Sequence, residues 1–488
     1  MIFKLSKLEN FGEIVSGGTP RTSNEGYYGG AISWITPKDL SNHKEVFVSK
    51  GDRSITEEGL KKSSAKLMPK GTVLFTSRAP IGYVAIANND IATNQGFKSL
   101  VLKDEDDSSK YFYYLLKNSV EIFENFSSGS TFKEISASAM RDVELLICTD
   151  KEGRHKIGNF LFSIDSKIEN NNRINTYLEK LTQTIFKSWF VDFDPVHAKA
   201  LALKKGLSPA QAERAAMAII SGVCSPSEFA ENFKEMGKQL SLKLSKMSKE
   251  KQDELAHTAS LFPSEFEDSE LGEIPIGWNR SSIIEEFNLT MGQSPKGESY
   301  NKDKAGTPLL NGPADYENGA LKGRTYTTSP TRLCQKDDMV LCIRATIGNL
   351  VYSEQEFCLG RGVAAVRPSE KRFSELVYYL LLQEIERFKI QATGSIIRGI
   401  TKDDLIESKC LIPTDKLIKS FHNKSKPIFD KIRINKTENI KLSELRDWLL
   451  PMLMNGQITV GEAEKEVESL QMVVVKPVNF SAPVIGTH

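Results

Sequence analysis

The chain has 488 residues, 40% of them hydrophobic and 26% charged, with 64 Lys and Arg against 63 Asp and Glu for a formal net charge of +1. That length and composition predict a globular protein of about two or three domains. They exclude a global basic excess, so any nucleic-acid reading must sort its charge by face.

No apolar run approaches the ~18 residues of a membrane span. The opening MIFKLSKLENFGEI lacks the unbroken apolar core of a secretory signal, so a cytoplasmic protein with no membrane partner is expected. Six cysteines (Cys148, Cys224, Cys334, Cys342, Cys358, Cys410) without C-x-x-C spacing, and six histidines without paired spacing, argue against a disulfide framework and against a metal site.

Residues 1–152 mix short β-like runs (AISWIT, GTVLFTS, GYVAIA, FKSLVL) with turn signals, then a helical stretch, YFYYLLKNSVEIFENF. This predicts an α+β domain. Residues 153–192 carry apolar side chains at alternating steps of four and three: Ile157, Leu161, Ile164, Ile168, then Leu178, Leu181 and Ile185. Such a stripe is a coiled-coil seam, and its 29 residues from Ile157 to Ile185 amount to roughly 43 Å of helix. Residues 193–270 read as a helical insert or connector, with one helix over SPAQAERAAMAIISG and another over EMGKQLSLKLSKMSKEKQDELAHTASLF. Its charge run is read as a solvated face.

Residues 271–415 then repeat the first scheme, and 416–456 repeat the long helix with Leu417, Phe421, Ile428, Ile432, Leu442, Leu445 and Leu449. Residues 457–488 form a tail with a short acidic helix and no assigned role.

The repetition is literal in places. GSTFKEIS at Gly129 returns as GSIIRGIT at Gly394, VLFTSRAPIG at Val73 as VLCIRATIG at Val340, and GGTPRT at Gly17 as GQSPKG at Gly292. A shift of about 265 residues is too long for a solenoid and fits a duplicated domain with its connector. Both seams are interrupted by asparagines at matching points, Asn171 and Asn175 in the first and Asn435 and Asn439 in the second. A polar seam residue costs stability but fixes register and partner, so the two helices are expected to pair with each other. The expected architecture is α+β: two similar globular α/β domains joined by two long antiparallel helices in a coiled coil, pseudo-two-fold within one chain.

Signs of catalysis are missing from the sequence. There is no G-x-x-x-x-G-K-[ST] loop for a nucleotide, the glycines of SGGTPRTSNEGYYGG lack dinucleotide spacing, and no Asn-Pro-Pro-aromatic tetrapeptide for an extruded adenine occurs. The carboxylates of FVDFDP read as a helix stop, and dispersed histidines give no nucleophile and base pair.

Two similar heads on a spacer match the symmetry of a duplex, where readers one helical turn apart, about 34 Å, meet the same groove twice. Unlike a homodimer, the halves here differ, so the target need not be palindromic.

The duplicated domain with SGGTPRT, SRAPIG, NQGF and SGSTFKEIS, the seam helices, FVDFDPV, LFPSEFEDSELGEIPIGW and LRDWLLPMLMNGQ together resemble the specificity subunit of a type I restriction-modification enzyme, over Phe11 to Gln457. The second copy departs from the pattern, with MGQSPKG for the glycine-rich opening and LGRGV for NQGF.

The resemblance implies a non-catalytic subunit in which each target recognition domain reads one half of a split double-stranded DNA sequence. It implies two modification subunits that bind S-adenosylmethionine and methylate adenine N6, and restriction subunits that use ATP and magnesium, with no cofactor on this chain. The rival reading is an assembly scaffold whose globular domains bind protein.

Arg21, Arg78 and Lys133, with Lys296, Arg344 and Arg398 at the matching positions, are expected to position phosphates or to form structural ion pairs. Copy-specific polar residues are expected to read bases: Thr22, Ser23, Asn24, Lys38 and Asp39 in one half, Asn301, Lys302, Asn311 and Tyr316 in the other. Trp278 is expected in the core, and Trp189 and Trp448 on a surface for the modification subunits.

Overall fold

The computed structural model describes residues 1–103, 107–127, 133–270, 272–317, 319–344, 348–370, 373–391 and 399–474. The chain divides into two compact units, Met1–Arg173 with Thr437–His488, and Ile174–Lys436. Each unit takes one globular domain and one part of each long helix. Among the described residues no helix is long and apolar enough to cross a membrane.

In the first unit the main sheet has the order Gly12–Ser16, Lys98–Leu102, Val73–Ser77, Ile81–Ala87, Phe47–Val48. A second sheet sets Tyr28–Ile35 between an antiparallel Arg53–Ile55 and a parallel Ile91–Thr93, and Phe3–Lys7 pairs antiparallel with Glu144–Cys148. Val73–Ser77 is buried at every position, the mark of a strand covered on both faces. One cover is the helix Ser109–Asn118, which buries six consecutive side chains from Tyr111 to Leu116. It is pinned where the Cys148 N–H donates to the Tyr111 hydroxyl at 2.8 Å.

The second unit repeats this plan in its shared strands, with one strand fewer in the main sheet and two more, Tyr300–Asn301 and Leu333–Cys334, in the other. Its main sheet runs Phe287–Met291, Val363–Pro368, Met339–Cys342, Leu350–Tyr352. In its other sheet Thr307–Leu310 lies between an antiparallel Thr325–Thr327 and a parallel Phe357–Leu359, and Asn279–Ser282 pairs antiparallel with Lys409–Ile412.

Equivalent hydrogen bonds fix the correspondence residue by residue. Asn94 N–H donates to Ile35 C=O at 3.0 Å and Gly360 N–H to Leu310 C=O at 2.7 Å. Ser77 N–H donates to Gly96 C=O at 2.8 Å and Ile343 N–H to Gly362 C=O at 2.9 Å. Ile135 N–H donates to Ser77 C=O at 3.1 Å and Ile400 N–H to Ile343 C=O at 2.9 Å. The repeated glycine of APIG and ATIG has a backbone cause: Gly82 and Gly348 sit at φ +102° and +126°. A Cβ there would come within 2.5 Å of Val120 Cγ1 or Lys389 Cε.

The long helices span Lys151–Phe190 and Asp415–Met454, 40 residues each. In the first unit Asn171 Nδ2 donates to Asn439 Oδ1 at 2.9 Å and to Glu438 Oε2 at 2.8 Å. In the second unit Asn435 Nδ2 donates to Asn175 Oδ1 at 2.8 Å. Residue numbers rise on one helix as they fall on the other, so the pairing inside each unit is antiparallel. Ile164 and Ile432 are buried in the seam, while Ile168, Leu178, Ile428 and Leu442 are half-buried. Leu445 is buried with them. Leu181 is displaced from the expected seam: it is half-buried, and the fully buried residue after Leu178 is Thr182, whose hydroxyl donates to Leu178 C=O at 2.9 Å. A strict four-three stepping selects Thr182; a search for apolar residues alone passes over it.

The insert holds five helices, Asp194–Lys204, Pro209–Ile220, Pro226–Glu231, Phe233–Ser245 and Lys249–Ser260, around a small core that includes Ala215, Met217, Phe229, Leu240 and Leu255. The single helix expected over residues 235–262 is two, because Ser248 accepts from Lys251 N–H and caps the second. Phe193 at φ +52° turns the chain after the first long helix, and Asp194-Pro195 opens the next one. The tail helix Val460–Val474 seals the first unit with Val460, Ala463 and Val467, joined by Ile458 just ahead of it.

Candidate nucleic-acid interface

In the first unit three cations proposed from sequence meet. Lys38, Arg78 and Lys133 line one groove of about 970 Å³, together with Thr36, Asn94 and a single carboxylate, Glu124. Lys38 follows the strand Tyr28–Ile35 because Pro37 stops that strand and opens a short helix, Pro37–Ser41. Its ion pair with Asp52 is long, 3.8 Å, between groups 85% and 75% exposed, and such a pair yields readily to a phosphate. Lys133 is exposed.

Arg78 is held differently. It pairs with Glu134 at 3.4 Å, and Glu134 also pairs with Lys98 at 3.7 Å. Burial pushes the Lys98 ammonium below its usual range, opposed by Glu134. The trio therefore carries one net positive charge that is fixed in place.

Asp39 has a structural task. Its carboxylate accepts from Thr36 N–H at 2.7 Å, Thr36 Oγ1 at 2.6 Å and Asp52 N–H at 2.8 Å. That capping box satisfies the helix start and removes Asp39 from the candidate base readers. Arg21, Thr22, Ser23 and Asn24 occupy a separate exposed turn; Asn24 uses its Oδ1 to accept from Gly26 N–H at 3.1 Å.

The second unit keeps the frame and changes the groups. The turn Asn311 to Asp315 replaces Thr36 to Asp39, with Asp315 accepting from Asn311 N–H at 2.6 Å and Gly312 N–H at 3.1 Å. Asn311 itself is exposed there. Arg344 occupies the place of Arg78 and is exposed, and the places of Lys98 and Glu134 are taken by Ala364 and Gly399. At these three places the described charge is Arg344 alone. Arg361 stands where the first unit has Gln95, and both are exposed.

Lys296 and Lys302 are exposed. Asn301 closes its own loop, bonding Ala305 C=O at 2.9 Å and Ala305 N–H at 3.0 Å, which replaces the expected base contact. Tyr316 is also corrected: its ring packs on the core of Leu310, Val340 and Leu359, and burial drives its phenol well above the usual range. Arg398 lies outside the described residues, as do 129–132 of the GSTFKEIS loop and 394–397 of the GSIIRGIT loop.

Among the tryptophans, Trp278 is buried at 4% exposure and Trp189 at 2%, whereas Trp448 is 52% exposed. Trp189 packs edge-on against Phe262 at 5.3 Å, so it is core and not contact surface.

Glu134, Lys98 and the exchange of Gln95 for Arg361 escaped the sequence reading. The signal was present in KEIS against RGIT and in NQGF against GRGV, but it becomes readable only once the strand register aligns the copies.

The family described as Type I restriction modification DNA specificity domain matches residues 3–180 and again 275–443. The chain is 29% identical over 463 residues to the Type I restriction enzyme MjaIX specificity subunit of Methanocaldococcus jannaschii, covering 94% of each. It is 30% identical over 421 residues to the HindI specificity subunit of Haemophilus influenzae, covering 80% of this chain and 88% of that one. Its fold is similar to the crystal structure of a type I restriction-modification S subunit from M. genitalium, with a TM-score of 0.52, 16% identity and coverage of 93% and 96%.

Proposed function

The chain belongs to the type I restriction modification DNA specificity family and is the sequence-recognition component of such a system, and we propose that each of its units reads one half of a split, asymmetric double-stranded DNA target. One observation carries this reading: the units share the order of their common strands and its registering hydrogen bonds, yet the groups on the corresponding corner differ. Thr36, Lys38, Gln95 and the Lys98–Glu134–Arg78 trio give way to Asn311, Ala314, Arg361 and, at the place of Arg78, Arg344. A common frame with exchanged polar groups suits two half-sites of different sequence, because base edges are told apart by donor and acceptor pattern while phosphates look alike everywhere.

In this reading the long helices set the gap of unspecified bases. Two modification subunits carrying S-adenosylmethionine dock on the chain and methylate adenine N6. Restriction subunits using ATP and magnesium join for cleavage, and the chain itself holds no cofactor and performs no chemistry. The near-neutral net charge fits a reader whose partners clamp part of the phosphate backbone.

Methylation mapping with the chain assembled on its modification subunits tests the proposal. The expected result is one split sequence with two constant halves around a fixed gap. A continuous target, or methylation with no sequence constraint, contradicts it.

A further inference from the structure

Among the described residues the long helices carry three ion pairs that the duplication does not preserve, Lys167–Glu438, Glu179–Lys436 and Asp165–Arg446, and the last is the most buried. The register that lays Asn171 on Asn435 also lays Asn175 on Asn439, Asp165 on Phe429 and Thr182 on Arg446. Asparagine faces asparagine in every combination, so the asparagine pairs themselves do not tell the copies apart.

The other positions are not indifferent. In the first unit Asp165 forms an ion pair with Arg446, their side chains only 11% and 15% exposed. The Tyr114 hydroxyl donates to the second carboxylate oxygen at 2.5 Å, and Arg446 also reaches Asp447 at 2.7 Å. In the second unit the matching pair, Thr182 and Phe429, is uncharged: Tyr379, the counterpart of Tyr114, hydrogen-bonds Thr182 and lies 6.0 Å from the Phe429 ring, and Thr182 is fully buried.

We propose that Asp165 and Arg446 form a partner-choice lock: they make the first long helix pair with the second and reject another copy of itself, so that unlike halves assemble and like halves do not. If two first helices met in the same register, each Asp165 would face Thr182 and stay buried without its arginine. If two second helices met, each Arg446 would face Phe429. Stranding one member of a buried ion pair is far costlier than never having built the pair, and specificity of this kind is set by what the wrong partner strands. A protein that reads two different half-sites needs this discrimination, because like-with-like pairing yields a palindromic reader.

The test keeps the full chain and adds a protease site in the connector at residues 263–265, cut only after folding. Tagged and untagged cut protein are mixed under conditions that permit exchange, and the tagged N-terminal piece is captured. We expect C-terminal pieces to be recovered in roughly tenfold or greater excess over untagged N-terminal pieces. Cut wild-type protein is then mixed with cut Asp165→Arg/Arg446→Asp protein, whose melting confirms that it folds. The pieces should sort, wild-type N-terminal pieces taking wild-type C-terminal pieces and reversed taking reversed. Recovery of N-terminal with N-terminal pieces on a par with the unlike pairing, or free mixing of wild-type with charge-reversed pieces, overturns the proposal.

Discussion

Lys38 and Lys133 show how a near-neutral chain can present a cationic face: both are exposed on the groove that also holds Arg78, against one lining carboxylate. If they contact phosphates, Lys38→Ala or Lys133→Ala in the assembled complex should weaken binding to all sequences alike. Each should lower the slope of log K against log salt by about 0.9, as read by titration across salt concentrations. Glu134→Gln should act in the opposite sense. It removes the carboxylate that holds Arg78 and Lys98, so low-salt affinity should rise and the salt slope should steepen by about the same 0.9. The motif match made Arg78 legible in the sequence. The tasks of Asp39, Asn301 and Tyr316 were not legible, because a capping carboxylate, a loop-closing amide and a buried phenol look like readers until their hydrogen bonds and burial are known.

The long helices were the most legible elements, since their four-three stepping is written in side chains that must be buried. Their asparagines meet as expected from the interrupted seam. Asn435 is fully buried and gives its amide to Asn175, so Asn435→Ala strands the Asn175 oxygen and should cost about 1–3 kcal/mol, read from chemical unfolding of the whole chain. Less legible was the insert, whose five helices are short and have no counterpart in the second copy to confirm a boundary. The tail helix was expected but its packing was not, because Ala463 signals burial only once its neighbours in the first unit are known.

At the scale of the molecule, one duplicated design carries two different sets of polar groups. The strand order repeats, and so do the glycines at φ +102° and +126° and the paired asparagines. What diverges is the polar corner of each globular domain and the ion pair that keys one helix to the other. The most direct test of the central claim is sequencing of methylated DNA after residues 12–142, the globular part of the first unit, are exchanged for the matching segment of a family member with a different target. The methylated sequence should change in one half only, with the other half and the gap retained. Changes in both halves, or in neither, would contradict a chain whose two units read DNA independently.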